Sequence, residues 1–123
     1  MTPNALGCLT SITGPLQKNG VNIEGYCAYE WGKEAAYRII TDDNAKARQV
    51  LSKAGYCVEE NPTVLWETNN KPGMLKKATD SLASKNINIY CSYCTTMSAG
   101  KKAATAFTTN NAEVTFNTLL KLE

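Results

Sequence analysis

The chain contains itself twice. Shifted by 66 positions, Leu6–Ile23 falls on Pro72–Ile89 without a gap. Gly7 meets Gly73, Leu9 meets Leu75, Leu16 meets Leu82, and Val21-Asn-Ile23 meets Ile87-Asn-Ile89. Farther on, Thr41-Asp-Asp-Asn-Ala45 meets Thr108-Thr-Asn-Asn-Ala112 after one more residue of shift. Self-similarity of this kind marks a tandem repeat, with modules expected at 1–61 and 62–123 of the 123 residues. A unit of about 60 residues buries only about 60% of its unfolded surface and is marginal alone. The two halves are therefore expected to share a core or a partner.

Periodicity supplies the elements. Leu6, Leu9, Ile12 and Leu16 recur at helical spacing, as do Leu75, Ala78 and Leu82. Gly14-Pro15 interrupts the first helix, where Pro removes a ladder donor, so a kink or a helix in two pieces is expected. Val21, Ile23, Gly25, Cys27 and Tyr29 alternate with polar neighbours, and so do Ile87, Ile89, Cys91, Tyr93 and Thr95; both read as half-buried strands. Turns at Trp31-Gly-Lys33 and Ser98-Ala-Gly-Lys101 lead into partner strands near Ala36–Thr41 and Ala103–Thr108. Second helices start behind Asn44 and Asn111, both good N-caps. Their apolar faces are Ala47, Val50, Leu51 and Ala54 in one, and Phe116, Leu119 and Leu120 in the other. Tyr56–Glu60 reads as a strand that Asn61-Pro62 turns into Thr63–Thr68, giving the order αββαβ–βαββα. Trp31 and Trp66 read as packing anchors.

Composition removes whole classes of function. The chain has no histidine, which excludes His-based acid/base catalysis, Ser-His and Cys-His pairs and most catalytic zinc sites. A net charge of +2 is too small for the wide basic field of non-specific nucleic-acid binding. No stretch approaches the roughly 20 apolar residues of a membrane span, and the N-terminus lacks a signal-peptide pattern. Five cysteines, an odd number, read as reduced thiols in a cytoplasmic protein. Cys91-Ser-Tyr-Cys94 lies in a strand, where residues three apart point to opposite faces and cannot close on one metal. No metal or cofactor is expected. RNA-recognition sheets need basic residues interleaved with aromatics. The partner strands here offer only Tyr37 and Phe107. Asp42-Asp43 aligns with Thr109-Asn110, so no carboxylate pair recurs and no enzyme is expected.

The motif Glu67-Thr-Asn-Asn-Lys-Pro-Gly-Met-Leu75, followed by Asn86-Ile-Asn-Ile89, resembles the ACT domain. More closely, the chain is similar to small proteins made of two ACT modules and nothing else. The second copy carries the loop motif in full, and the first carries it loosely as Asn4-Ala-Leu-Gly7. The resemblance implies an α+β architecture of tandem ferredoxin-like (βαββαβ) modules and an allosteric role in sensing amino acids. The first module departs from that pattern by lacking its opening strand, the second by lacking its closing strand. Strand sharing in a homodimer is the expected remedy, with a shortened chain as the competing explanation. The hairpin of Tyr56–Glu60 and Thr63–Thr68 is expected to complete the second module.

Each loop should deliver a helix N-terminus whose unpaired N–H groups and dipole favour an anion such as an α-carboxylate. Asn supplies donors and acceptors for a zwitterion without fixed charge, and Gly lets ligand and backbone approach closely. In ACT modules, positions matching these residues commonly contact the ligand at a module or subunit interface. Carried over, they are Asn70, Gly73, Met74, Leu75 and Asn88, and in the first copy Asn4, Gly7 and Asn22. The alternative is a ligand-free dimerisation module in which Asn caps and Gly turns.

Overall fold

In the computed structural model, which describes residues 1–97 and 101–122, the period-two segments become antiparallel strands and the 3.6-period segments become the helices that cover them. The elements are β1 (Thr2–Pro3), α1 (Cys8–Lys18), β2 (Ile23–Trp31), β3 (Glu34–Thr41), α2 (Asn44–Lys53), β4 (Thr63–Asn69), α3 (Met74–Ser84), β5 (Ile89–Met97), β6 (Lys102–Thr109) and α4 (Ala112–Leu120). They form two compact units, Met1–Glu59 and Glu60–Glu123. Each holds a three-stranded antiparallel sheet, in the order β1-β3-β2 or β4-β6-β5. This is the 1-3-2 part of a ferredoxin-like sheet, so the architecture is α+β, with the order βαββα run twice.

One face of each sheet is buried by its own two helices. In the first unit, Ile12 and Leu16 of α1 and Ala47 of α2 meet Val21, with Tyr37 and Ile39 of β3 packed beside them. In the second, Ala78 and Leu82 of α3 and Leu119 of α4 meet Val64, Trp66 and Phe107. The Trp66 and Phe107 rings lie 6.5 Å apart at 46°. Trp66 is the packing anchor expected of it, but Trp31 is 70% exposed.

Register repeats as well. Ile23 pairs with Thr41 and Gly25 with Ile40, so Glu24 is a bulge; Ile89 pairs with Thr109 and Cys91 with Thr108, so Tyr90 is its copy. Directly paired residues share a face. The bulge therefore puts Ile23 on the helix side and Gly25 and Cys27 on the other, where simple alternation had kept them together. Cys91 and Cys94 pair with Thr108 and Thr105, residues on opposite faces of β6.

Several local expectations change. The hairpin turn is two residues longer in the second unit, so β3 and β6 correspond at an offset of 68, one more than the sequence comparison suggested. The cap of α2 is accordingly Asp43, whose carboxylate accepts from the Lys46 N–H at 3.0 Å, and not Asn44. Its copy is Asn111, accepting from the Val114 N–H at 3.1 Å. Ser98–Gly100 of the expected longer turn lie outside the described residues. Helix α1 runs unbroken through Pro15. Only one ladder bond is lost there, and Leu16 stays fully buried just beyond it.

The buried face of α4 is Thr115, Thr118 and Leu119, while Phe116 and Leu120 are exposed. Thr115 reaches full burial because its hydroxyl bonds to the Asn111 carbonyl and the Thr109 hydroxyl, both at 2.8 Å. Tyr56–Glu60 is not a strand and makes no hairpin with β4. Tyr56 instead packs on the first core, and its N–H donates to Leu51 O at 3.1 Å. The first unit does have an opening strand, cut to the two residues of β1, which pair with Glu34 and Ala35.

Two outcomes are expected in urea unfolding. Leu16→Ala or Leu82→Ala, each removing a side chain of 0% exposure, costs about 2–5 kcal/mol. Asp43→Ala costs about 1 kcal/mol through the lost cap, and Asn44→Ala costs less; equal losses would contradict the cap assignment.

Candidate functional site

Each unit carries the same strand-to-helix loop, built from its two ends. At the strand end, the N–H of Asn4 donates to Lys33 O at 2.9 Å and that of Asn70 to Lys101 O at 3.0 Å. At the helix end, the Cys8 N–H bonds to Ala5 O and the Met74 N–H to Lys71 O, both at 3.3 Å. Between them Gly7 and Gly73 take φ values of +78° and +87°, the left-handed region. Each is the N-cap of its helix, and neither helix has a side-chain cap bond. No side-chain acceptor thus covers the first amides of α1 and α3, which leaves a positive dipole end in both units. A Cβ on either glycine would meet nothing within 4 Å. Backbone conformation, not crowding, requires glycine here.

The predicted site residues do not form one cluster within a unit. Asn4 and Gly7, like Asn70 and Gly73, stand at the start of the first helix. Asn22 and Asn88 stand beyond its far end. The 11 residues of α1 or α3 separate the groups by roughly 16 Å of helix. Hydrogen bonds fix the separation. Asn22 N–H donates to Asp42 Oδ1 at 2.9 Å and Asn88 N–H to Asn110 Oδ1 at 3.0 Å. The returning bonds run from Asp42 N–H to Asn22 O and from Asn110 N–H to Asn88 O. With the backbone held this way, both Asn side chains stay exposed at the strand ends.

The apolar members divide. Met74 is half-buried and packs against the core of its unit. Leu75 is 54% exposed and its counterpart Leu9 38% exposed, beside the uncapped helix starts. Burial would have been the ordinary fate of residues on the apolar stripe.

The two loops differ in charge. Asn4 Nδ2 donates to Glu30 Oε2 at 2.9 Å. Lys102 Nζ donates to Asn69 Oδ1 at 3.0 Å. One loop is therefore edged by an acid and the other by a base, so the pair is not chemically equivalent. Neither neighbour is visible from spacing, because each comes from the far end of a hairpin. In the first unit Cys8 Sγ also donates to Pro3 O at 3.2 Å, tying α1 to β1. Burial first, and then a hydrogen bond to Cys8, raises the Tyr37 hydroxyl above its ordinary pKa. Among the described residues no group of three or more Cys, Asp or Glu side chains could hold a metal ion. Among the described residues no helix is long and apolar enough to cross a membrane.

Comparison with known proteins extends the picture. A family model described as an ACT domain pair matches residues 4–123. A crystal structure of a protein from Bacteroides thetaiotaomicron superposes with a TM-score of 0.86 at 24% identity, covering 98% of this chain and 82% of that one. A second, an unknown protein from Galdieria sulphuraria, gives 0.43 at 15% identity, over 98% of this chain and 85% of that one. A third, a putative glycine cleavage system transcriptional repressor, gives 0.43 at 15%, over 90% and 77%. No curated protein matches.

Gly7→Ala and Gly73→Ala are each expected to cost about 1–2 kcal/mol, the left-handed penalty for an L side chain. Urea unfolding checks this; a loss below about 0.3 kcal/mol would show that the loops relax freely.

Proposed function

The chain belongs to the ACT domain pair family, and on that premise we propose that it is a cytoplasmic, non-catalytic regulatory protein that binds a small ligand, an amino acid, at its strand-to-helix loops and acts as a homodimer. The observation that carries the reading is the uncapped, glycine-started helix, present in both units with the same backbone bonds. With the Cys8 and Met74 amides turned back onto loop carbonyls, the next amides of each first turn and the helix dipole suit an α-carboxylate. The neighbouring Asn side chains and loop carbonyls offer acceptors for an ammonium group. Leu75 and Leu9 offer exposed apolar surface to a ligand side chain.

The roughly 16 Å of helix between Asn70–Gly73 and Asn88 gives dimerisation a purpose. A single amino acid is too short to span it. One ligand can touch both groups only if the loop of one module faces the strand start of another across a module or subunit interface. Binding would then favour the assembled state by mass action, which is how a non-catalytic module regulates. A ligand-free dimerisation module remains the alternative reading. It accounts for the repeat but leaves both helix starts uncapped without a use.

Thermal shift and calorimetry against the twenty amino acids test the proposal. At least one is expected to raise the midpoint, and Asn70→Ala to weaken it at least about tenfold through a lost polar contact. No shift with any of them at millimolar concentration would sink amino-acid sensing. Light scattering should report a dimer; a monomer that still binds would reject the subunit-interface arrangement.

A further inference from the structure

The two loops share a backbone but not a charge. In the first unit Pro3, the residue before Asn4, pairs with Glu34; in the second Asn69, the residue before Asn70, pairs with Lys102. The positions are equivalent, because the carbonyls of the adjoining residues, Lys33 and Lys101, hold the Asn4 and Asn70 amides. One register position thus carries an acid in the first copy and a base in the second. The outer strand of each hairpin repeats the contrast. Glu30 pairs with Ala35, and the matching pair is Thr96 with Ala103, so a second acid gives way to a neutral residue. Within the loops, Lys71 stands where the first copy has Ala5. Glu67 of β4 pairs with Ala104, two positions farther from the loop. Glu30, Glu34, Lys71 and Lys102 are all exposed, so no core requires any of these charges.

We infer that the second loop, with the first turn of α3, is the primary site for the carboxylate of the amino acid, and that Glu30 and Glu34 hold the affinity of the first loop at least about tenfold lower. The inference rests on amino-acid binding at these loops and names the copy that performs it. Both helix starts offer the same dipole end, so the side chains at the rim decide between them. A carboxylate arriving at the first loop meets Glu30, whose Oε2 already accepts from Asn4 Nδ2 at 2.9 Å. Two like charges roughly 6 Å apart weaken binding by about threefold in a water-like dielectric and about a hundredfold at the dielectric of a protein surface. At the second loop the sign is reversed, since Lys102 Nζ stands 3.0 Å from Asn69 Oδ1. Repulsion of the wrong charge is an ordinary route to selectivity between similar sites. A ligand held by its ammonium group on Glu30 would instead reverse the order of the two loops.

The test is an NMR titration of the isotope-labelled full chain, with the amino acid that gives the largest thermal shift as the probe. The amides of Leu75, Lys76 and Lys77 should saturate at a concentration at least about tenfold below those of Leu9, Thr10 and Ser11. The double variant Glu30→Gln, Glu34→Gln keeps the acceptor oxygens and removes both charges. It should bring the two midpoints within about threefold. Lys102→Gln should weaken the second loop alone, and added salt should narrow the gap in the unaltered chain. Equal midpoints, a tighter first loop, or a gap that survives the loss of both acids overturns the inference and leaves amino-acid binding standing. No movement of either set of amides with any of the twenty amino acids overturns both.

Discussion

Everything in this structure depends on covering one face of a very small sheet. Three strands leave an apolar face that water must not reach, and each unit has only two helices to cover it. The solution is the same in both. A leucine in the last turn of the covering helix, Leu16 or Leu82, sits at 0% exposure against the sheet. Full burial of such a side chain is worth about 1.5–3 kcal/mol. That is a large share of what a unit of this size can hold. Helix length, helix start and strand register are all tied to placing that residue.

The helix start is where this requirement becomes chemistry. To lay α1 and α3 back across the sheet, the chain must reverse within a few residues of the strand end, and a left-handed glycine makes the reversal. The same turn leaves the helix N-terminus without a side-chain cap. A structural necessity and a candidate anion site are thus one feature, found twice. The neighbouring charges then separate the copies, Glu30 beside Asn4 and Lys102 beside Asn69. Divergence has altered the surroundings of the loops and kept their backbone.

Much of this was legible in the residues, and the exceptions have physical causes. The repeat placed Gly7 with Gly73 and Asn22 with Asn88, and the structure places them as equivalents, because helix caps and strand starts are set by local backbone chemistry. The cap of α2 was misplaced by one residue. The two-residue difference lies in a turn, where length is weakly constrained and leaves no periodic trace. Phe116 and Leu120 looked like core because an apolar stripe cannot report that Thr115 will satisfy its own hydroxyl and take the buried position. Tyr56–Glu60 looked like a strand because alternation describes a segment, not whether a neighbour exists to pair with it.

Sequence alone determined the tandem architecture, the order helix–strand–strand–helix within each unit, the glycine turns and the family resemblance. All of these follow from spacing along the chain and from the dihedral limits of single residues. Tertiary structure decided what depends on separate segments meeting in space. It set the bulges that switch β2 and β5 between faces, the acidic and basic neighbours of the two loops, and the division of the candidate site between opposite ends of a helix. It also showed a two-residue β1 paired with Ala35 and Glu34 of β3. Backbone hydrogen bonding is local in a helix but not in a sheet, so a strand is written in one segment and completed by another.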